Sequence, residues 1–288
     1  MRQSALRTID FFGLTSSSHL HSCISFDFIG GKMMAVRADL LKANFTFENP
    51  SNCPLKNYEG KEIDLLAVVP SQMHFILDNL KRMPLIRNVI IGGAPIPNNL
   101  RNRIEDSGIN AYETYGMTET ASHIALRKVT GEPLPFRMLP GIDFRIDSKQ
   151  RLVILLEEAS EIKAEVGKAK KIEIITNDVA KETEDGGFLI CGRYDNVIIS
   201  GGMKIFPEEV EEIIENALGT EVLISSKKDE KWGQKLILIT ELTSSSISDE
   251  EMIALCKKLL PKHCVPKEII RDRIPRTQNE KKKRIKFL

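Results

Sequence analysis

Between Tyr112 and Thr120 the chain reads YETYGMTET, a polar, glycine-centred turn closing an apolar run. Its residue types suit a nucleotide and a metal. Tyr115 offers a flat ring for a base, the Thr118 hydroxyl can bond a phosphoryl oxygen, and the Glu119 carboxylate suits Mg2+, a hard cation that takes oxygen ligands. A strand end with a solvated glutamate has the same letters, so neighbouring segments must decide. Gly92–Pro95, GGAP, is a second such turn, where Gly92 and Gly93 let the backbone approach a ligand closely. The cationic run 281–286 has the charge to meet an anion, although on charge alone it reads as a solvated tail.

Both turns follow apolar runs that read as strands. From Ile63 to Gly116 the pattern is IDLLAVV, a break at Pro70, a helically spaced SQMHFILDNLKRM, then NVIIGG, a helix beginning near Pro97, and NAYETYG. Strand alternating with helix predicts an α/β fold, a large domain with a doubly wound, mostly parallel sheet whose ligands sit at strand carboxyl ends. From Gly141 to Ile190 the short runs FRID, RLVILL, KIEIIT and GFLICG predict antiparallel strands or a small barrel-like portion, with the charged stretch 157–171 as a surface loop.

Beyond Arg193 the pattern becomes a small C-terminal α+β domain, and the boundary is expected near Asp195, giving domains 1–194 and 195–288. The helix PEEVEEIIENAL has Pro207 at its first position, Glu208 and Glu209 at the positive end of its dipole, and Val210, Ile213, Ile214 and Leu218 on one apolar face ending at Gly219. Ser248 and Glu251 have the spacing of a capping box for a second helix.

Composition narrows the partners. The 288 residues are 42% hydrophobic and 28% charged, with a formal net charge of +1, so no whole-chain charge argues for nucleic acid or an anionic membrane. No run approaches a membrane span, which excludes an integral membrane contact of that kind, and the start MRQSALRTIDFFG lacks a signal-peptide core. Five cysteines without a CxxC pair suggest neither a zinc motif nor a disulfide framework and fit a reducing cytoplasm. Small-molecule chemistry is the expectation; an oligomer is left open.

Taken in order, the motifs resemble the adenylate-forming superfamily of acyl-CoA synthetases, luciferases and peptide-synthetase adenylation domains. YGMTE is similar to its signature, and GGAP resembles the turn that closes on adenine opposite Tyr115 and Gly116, with Ala94 and Pro95 completing it. TND, Thr176–Asp178, resembles the family's TGD, whose Asp, here Asp178, accepts from the ribose hydroxyls. GRYDNVIISGGMKIFPEEVEE, Gly192–Glu212, resembles the hinge motif: Arg193 then contacts nucleotide, Asp195 is the pivot, and Gly201 and Gly202 line the path of pantetheine. PRTQNEKKKR resembles the family's PRTxxGK and implies Lys281 as the catalytic lysine, with Lys282 the alternative because Glu280 replaces the glycine. The resemblance implies an enzyme that uses ATP, Mg2+ and coenzyme A to convert a carboxylic acid, through acyl-AMP, to a thioester.

The family's phosphate loop, of the form TSGTTGxPK, has no counterpart; LTSSSHLHS, Leu14–Ser22, has hydroxyls but neither Gly nor Lys and reads as a surface turn. The chain is therefore expected to begin just after that loop, as a truncated form. The segment ISFDFIGG, Ile24–Gly31, resembles the family's acyl-pocket LPLFHxxG, with Phe28 where a His is common. Nine residues on, Arg37 stands as in the o-succinylbenzoate–CoA ligase subfamily of menaquinone synthesis, where a guanidinium can hold the substrate's second, unactivated carboxylate. A surface Arg on an amphipathic helix is the equal alternative. Ser122 and His123 are positioned to meet the aromatic acid. Another aryl- or acyl-CoA ligase, a carrier-loading adenylation domain and a non-catalytic nucleotide-binding fragment are the competing readings.

Overall fold

Residues 1–157, 171–276 and 282–284 are described by a computed structural model. The chain forms two units: Met1–Phe144 with Ile154–Ile174 and Glu182–Leu189, and Arg145–Val153 with Ile175–Lys181 and Ile190–Leu288. No helix among the described residues is long and apolar enough to cross a membrane.

The first unit opens with α1 (Arg2–Phe12), β1 (His19–Ser22), α2 (Ile29–Leu41) and β2 (Asn44–Phe47). There follow β3 (Glu62–Ile63), β4 (Leu65–Val68), α3 (Pro70–Asp78), β5 (Leu85–Ile86), β6 (Val89–Ile91), α4 (Asn98–Ser107), β7 (Ala111–Met117), β8 (Ser122–Lys128) and β9 (Arg137–Met138). Seven strands make one sheet in the order β2-β1-β4-β6-β7-β8-β9, parallel as far as β7 and antiparallel across β7–β8 and β8–β9. The α/β sheet expected from the alternation is therefore present. Leu65–Val68 and Val89–Ile91 are buried throughout, as strands covered on both faces must be. Pro70 opens α3 at a position where its missing N–H costs nothing.

One expectation fails here. Leu14–Ser22 is not simply a surface turn: His19–Ser22 is strand β1, hydrogen-bonded on both sides to β2 and β4, with Leu20, His21 and Ser22 buried. Histidine and serine polarity hid a strand because their side chains find partners inside the fold.

The strands β10 (Ile142–Ile146), β11 (Arg151–Glu157), β12 (Lys171–Glu182) and β13 (Phe188–Arg193) form a second sheet in chain order. Of the stretch 157–171 read as a loop, Glu157 ends β11 and Lys171 opens β12, and residues 158–170 lie outside the described residues.

The second unit continues with the hairpin β14 (Ile198–Ser200) and β15 (Met203–Ile205), then α5 (Pro207–Leu218), β16 (Val222–Asp229), β17 (Gly233–Thr240), α6 (Asp249–Leu259) and β18 (Glu268–Arg271). Strand β17 pairs antiparallel with β16 and parallel with β18, and Val210, Ile214, Met252 and Cys256 of the two helices close the core over Ile224 and Leu238. The face of α5 differs from expectation: Ile213 is exposed, whereas Glu211 is buried because it accepts from the Ile224 amide and the Arg284 guanidinium. At α6 the capping box is complete, Ser248 Oγ accepting from the Glu251 amide (3.2 Å) and Glu251 from the Ser248 amide (2.8 Å).

Candidate functional site

The parallel strands of the first sheet end in the segments singled out by chemistry. Gly92–Pro95 leaves the end of β6, its first amide still bonded to Val68 O at 3.1 Å, and Gly93, Ala94 and Pro95 are exposed. A buried anchor lies beneath it. Glu113 on β7 accepts from Arg101 of α4, from Arg127 Nε at 2.8 Å and from the Ile96 amide at 3.4 Å. The loop's trajectory is thus tied to the strand carrying the second motif.

That strand bends at Tyr115/Gly116, where the β7–β8 register shifts. A side chain at position 116 would collide with the Ser122 carbonyl and the His123 backbone, so only glycine allows the bulge. Tyr115 is half-buried, with Phe188 edge-on at 5.4 Å and Phe136 at 5.8 Å between ring centroids. Thr118 and Glu119 are exposed on the turn, which Thr120 holds shut by donating to Ser122 O at 2.7 Å and accepting from the Met117 amide at 3.0 Å. Exposed hydroxyl and carboxylate oxygens are a donor set that fits Mg2+.

The residues assigned to the acid fall into two classes. Phe28, at the amino end of α2, is 54% exposed. Arg37, Ser122 and His123 are buried. Arg37 lies on the inner face of α2 with Met33, Met34 and Ala38 and is 1% exposed, so the alternative of a surface Arg is overturned. Among the described residues its Nη1 reaches only Met34 Sδ, at 3.6 Å, and Nε and Nη2 have no partner. Burial alone lowers its pKa to about 9, still charged at neutral pH. His123 Nε2 is 2.9 Å from Thr8 Oγ1. The Thr8 hydroxyl also lies 3.3 Å from Ser4 O. Burial first, and the Arg37 charge second, hold His123 well below the ordinary imidazole range, so it is neutral.

Within the second unit, Asp178, Arg193 and Asp195 come together. Arg193 Nη1 bonds Asp178 Oδ1 at 2.9 Å, and Asn177 Nδ2 donates to Asp195 Oδ2 at 3.0 Å. Beside Asp195 a cavity of about 230 Å3 is lined by Lys149, Tyr194, Lys204 and Phe206. Gly201 and Gly202 are the two turn residues of the β14–β15 hairpin, with φ of +57° and +80°, the left-handed pair a two-residue turn requires. Lys282 is ion-paired with Glu215 and donates to Val222 O at 2.8 Å, which commits its amine locally. Lys281 lies outside the described residues.

Compared with known proteins, residues 17–163 match the model of the AMP-binding enzyme family. The chain belongs to that family. It is 30% identical over 253 residues to a 2-succinylbenzoate–CoA ligase of Bacillus cytotoxicus, a match covering 77% of this chain and 51% of that protein. The chain spans about half the length of the curated relatives it matches. Among solved structures, an acyl-CoA synthetase (AMP-forming)/AMP-acid ligase II-like protein from Dyadobacter fermentans has 27% identity and a TM-score of 0.59, covering 98% of this chain and 80% of its own. The o-succinylbenzoate–CoA synthetase of Bacillus subtilis, solved with its acyl-adenylate intermediate, shares the fold at TM-score 0.77 and 21% identity, covering 97% and 62%.

Two residues escaped sequence reasoning. Thr8 sits in a helix with no motif around it, and Glu113 was read only as part of a strand. The one available signal for Glu113 was a charged residue inside an apolar run, which calls for buried partners.

Proposed function

We propose that this chain carries the acyl- and AMP-binding part of an AMP-forming acid–CoA ligase whose acid is o-succinylbenzoate. The carrying observation is Arg37, a buried guanidinium with two nitrogens lacking partners among the described residues. A buried charge without a counterion is costly, and a ligand carboxylate supplies both the missing charge and the missing acceptors. The names of the ligases to which the chain is similar agree with a dicarboxylic aromatic acid.

In this reading Arg37 grips the carboxylate that does not react, with neutral His123 and Ser122 beside it, and leaves the other carboxylate free to attack the α-phosphate of ATP. Pyrophosphate departs and acyl-AMP remains; the thiol of coenzyme A then displaces AMP. The Gly92–Pro95 loop and Tyr115 with Gly116 bracket adenine, Thr118 bonds a phosphoryl oxygen, and Asp178 with Arg193 takes the ribose and phosphate side. Thr118 and Glu119 would hold Mg2+, which supplies neutralisation of polyphosphate charge. Lys281 is assigned to the adenylation half alone. Residues 1–194 serve as part of the large domain and 195–288 as a small mobile domain pivoting at Asp195, with Gly201 and Gly202 along the pantetheine path. The protein is read as a cytoplasmic enzyme of small molecules.

Calorimetry with non-hydrolysable acyl-AMP mimics tests the acid. The o-succinylbenzoyl mimic is expected to bind the wild type and to lose about 100-fold affinity in Arg37→Met. A benzoyl mimic, lacking the second carboxylate, should be insensitive to that substitution. Equal loss for both mimics, or tighter binding of the benzoyl one, would overturn the assignment.

A further inference from the structure

At the carboxyl ends of β1 and β2, His21, Cys23 and Glu48 bring one ligating atom each within 4.8 Å of one another. His21 and Cys23 are 2% and 1% exposed, and Glu48 is half-buried. None of the three has a part in the ligase reading, and the cluster does not rest on it. We propose that these side chains form a binding site for one borderline divalent cation, zinc above all, with a fourth position open to water.

The first argument is the state of the His21 ring. Tyr58 Oη lies 3.2 Å from Glu62 O and 3.0 Å from His19 Nδ1. Thr46 Oγ1 is 2.8 Å from His19 Nε2 and 2.7 Å from His21 Nδ1, so that nitrogen of His21 is committed to the hydroxyl. His21 Nε2 is buried with no hydrogen-bond partner among the described residues, and it presents a lone pair to an ion when the ring proton sits on Nδ1. A metal-binding imidazole has this arrangement: one nitrogen held by a hydrogen bond that sets the tautomer, the other facing the ion. A thiol donating to Glu48 would account for Cys23 and the carboxylate, but it leaves His21 Nε2 without a partner among the described residues.

The second argument is chemistry. Thiolate, imidazole and carboxylate suit Zn2+, and three protein ligands plus water is its usual open arrangement. The charges cancel, since a dication meets one thiolate and one carboxylate. Burial first, and Glu48 second, hold the Cys23 thiol far above its ordinary range, so without an ion it keeps its proton. On binding, the S–H bond breaks, the S–Zn bond forms, and one proton goes to solvent. The scaffold is prepared: Glu48 Oε1 is fixed by the Leu55 amide at 3.0 Å, the Glu48 amide bonds Ser22 O at 3.1 Å, and Gln72 donates to Cys23 O at 3.0 Å.

Chelator-treated protein, reloaded with zinc and desalted, should retain one zinc per chain by elemental mass spectrometry. Cobalt(II) in its place should show thiolate-to-metal charge-transfer absorption. Cys23→Ser and His21→Ala should weaken zinc binding by at least about 100-fold, and Thr46→Val, which removes the hydroxyl that holds His21 Nδ1, by about 10-fold. Exposed Cys53→Ser should change nothing. Absence of retained zinc or of the charge-transfer band in folded wild type overturns the site, as does undiminished binding in folded Cys23→Ser. The wild-type cobalt spectrum decides the matter even where a variant fails to fold.

Discussion

Arg37 and Arg101 are both helical, both in the first unit, and both 1% exposed, yet their surroundings are opposite. Arg101 faces Glu113, which also takes Arg127, so its charge is matched although one of its nitrogens lacks a partner among the described residues. Arg37 faces a thioether and a neutral imidazole. The first arrangement compensates its charge; the second leaves a guanidinium without a counterion among the described residues. Burial of a charge is thus uninformative until its partners are counted.

The largest expected effect lies on the matched side. Glu113→Ala strands Arg101 in the interior and should lower unfolding free energy by about 3–5 kcal/mol in urea titration. A loss under 1 kcal/mol would mean that the ion pair does not anchor the Gly92–Pro95 loop, and the comparison would break.

On the unmatched side the sign reverses. Replacing Arg37 by methionine removes an uncompensated buried charge and should raise stability by about 1–4 kcal/mol in the absence of ligand, while abolishing the preference for a dicarboxylic acid. Destabilisation on that scale would show that Arg37 has a structural partner after all.

His123 adds a pH dependence. Its folded pKa lies well below the ordinary 6.5, so the unfolded chain takes up the proton first. The stability it contributes is fully present above pH 6.5 and is lost as pH falls below it, by up to about 1.4 kcal/mol per pH unit. Urea titrations at pH 7.5 and 5.5 should show this slope, reduced in His123→Gln. An unchanged slope in that variant would assign the acid sensitivity elsewhere.

The smallest effect is expected where charges are paired but wet. Asp39 and Lys42, 2.9 Å apart at the end of α2, are both more than three-quarters exposed, and Asp39→Asn should shift stability by less than about 0.5 kcal/mol. This surface pair calibrates the buried two.

Much of the site was legible in the sequence because its motifs are contiguous. A turn such as Gly92–Pro95 or Tyr115–Glu119 carries its own geometry, and alternation of apolar runs with helical spacing was enough to expect a parallel sheet ending in those turns. The hairpin glycines at 201 and 202 and the cap at Ser248 are local in the same sense. Strand β1 was missed because HLHS shows no apolar alternation, and Ile213 was misassigned because Glu211, paired with a residue 73 positions away, takes its place inside. By itself, then, the sequence determined the fold class and the order of the turns that end its strands. Only the tertiary structure decided that Arg37 is buried and unmatched, that Thr8 fixes His123, and that His21, Cys23 and Glu48 converge. Hydrogen bonds and charge compensation between distant residues depend on which surfaces the packed elements bring together, and no spacing along the chain records that.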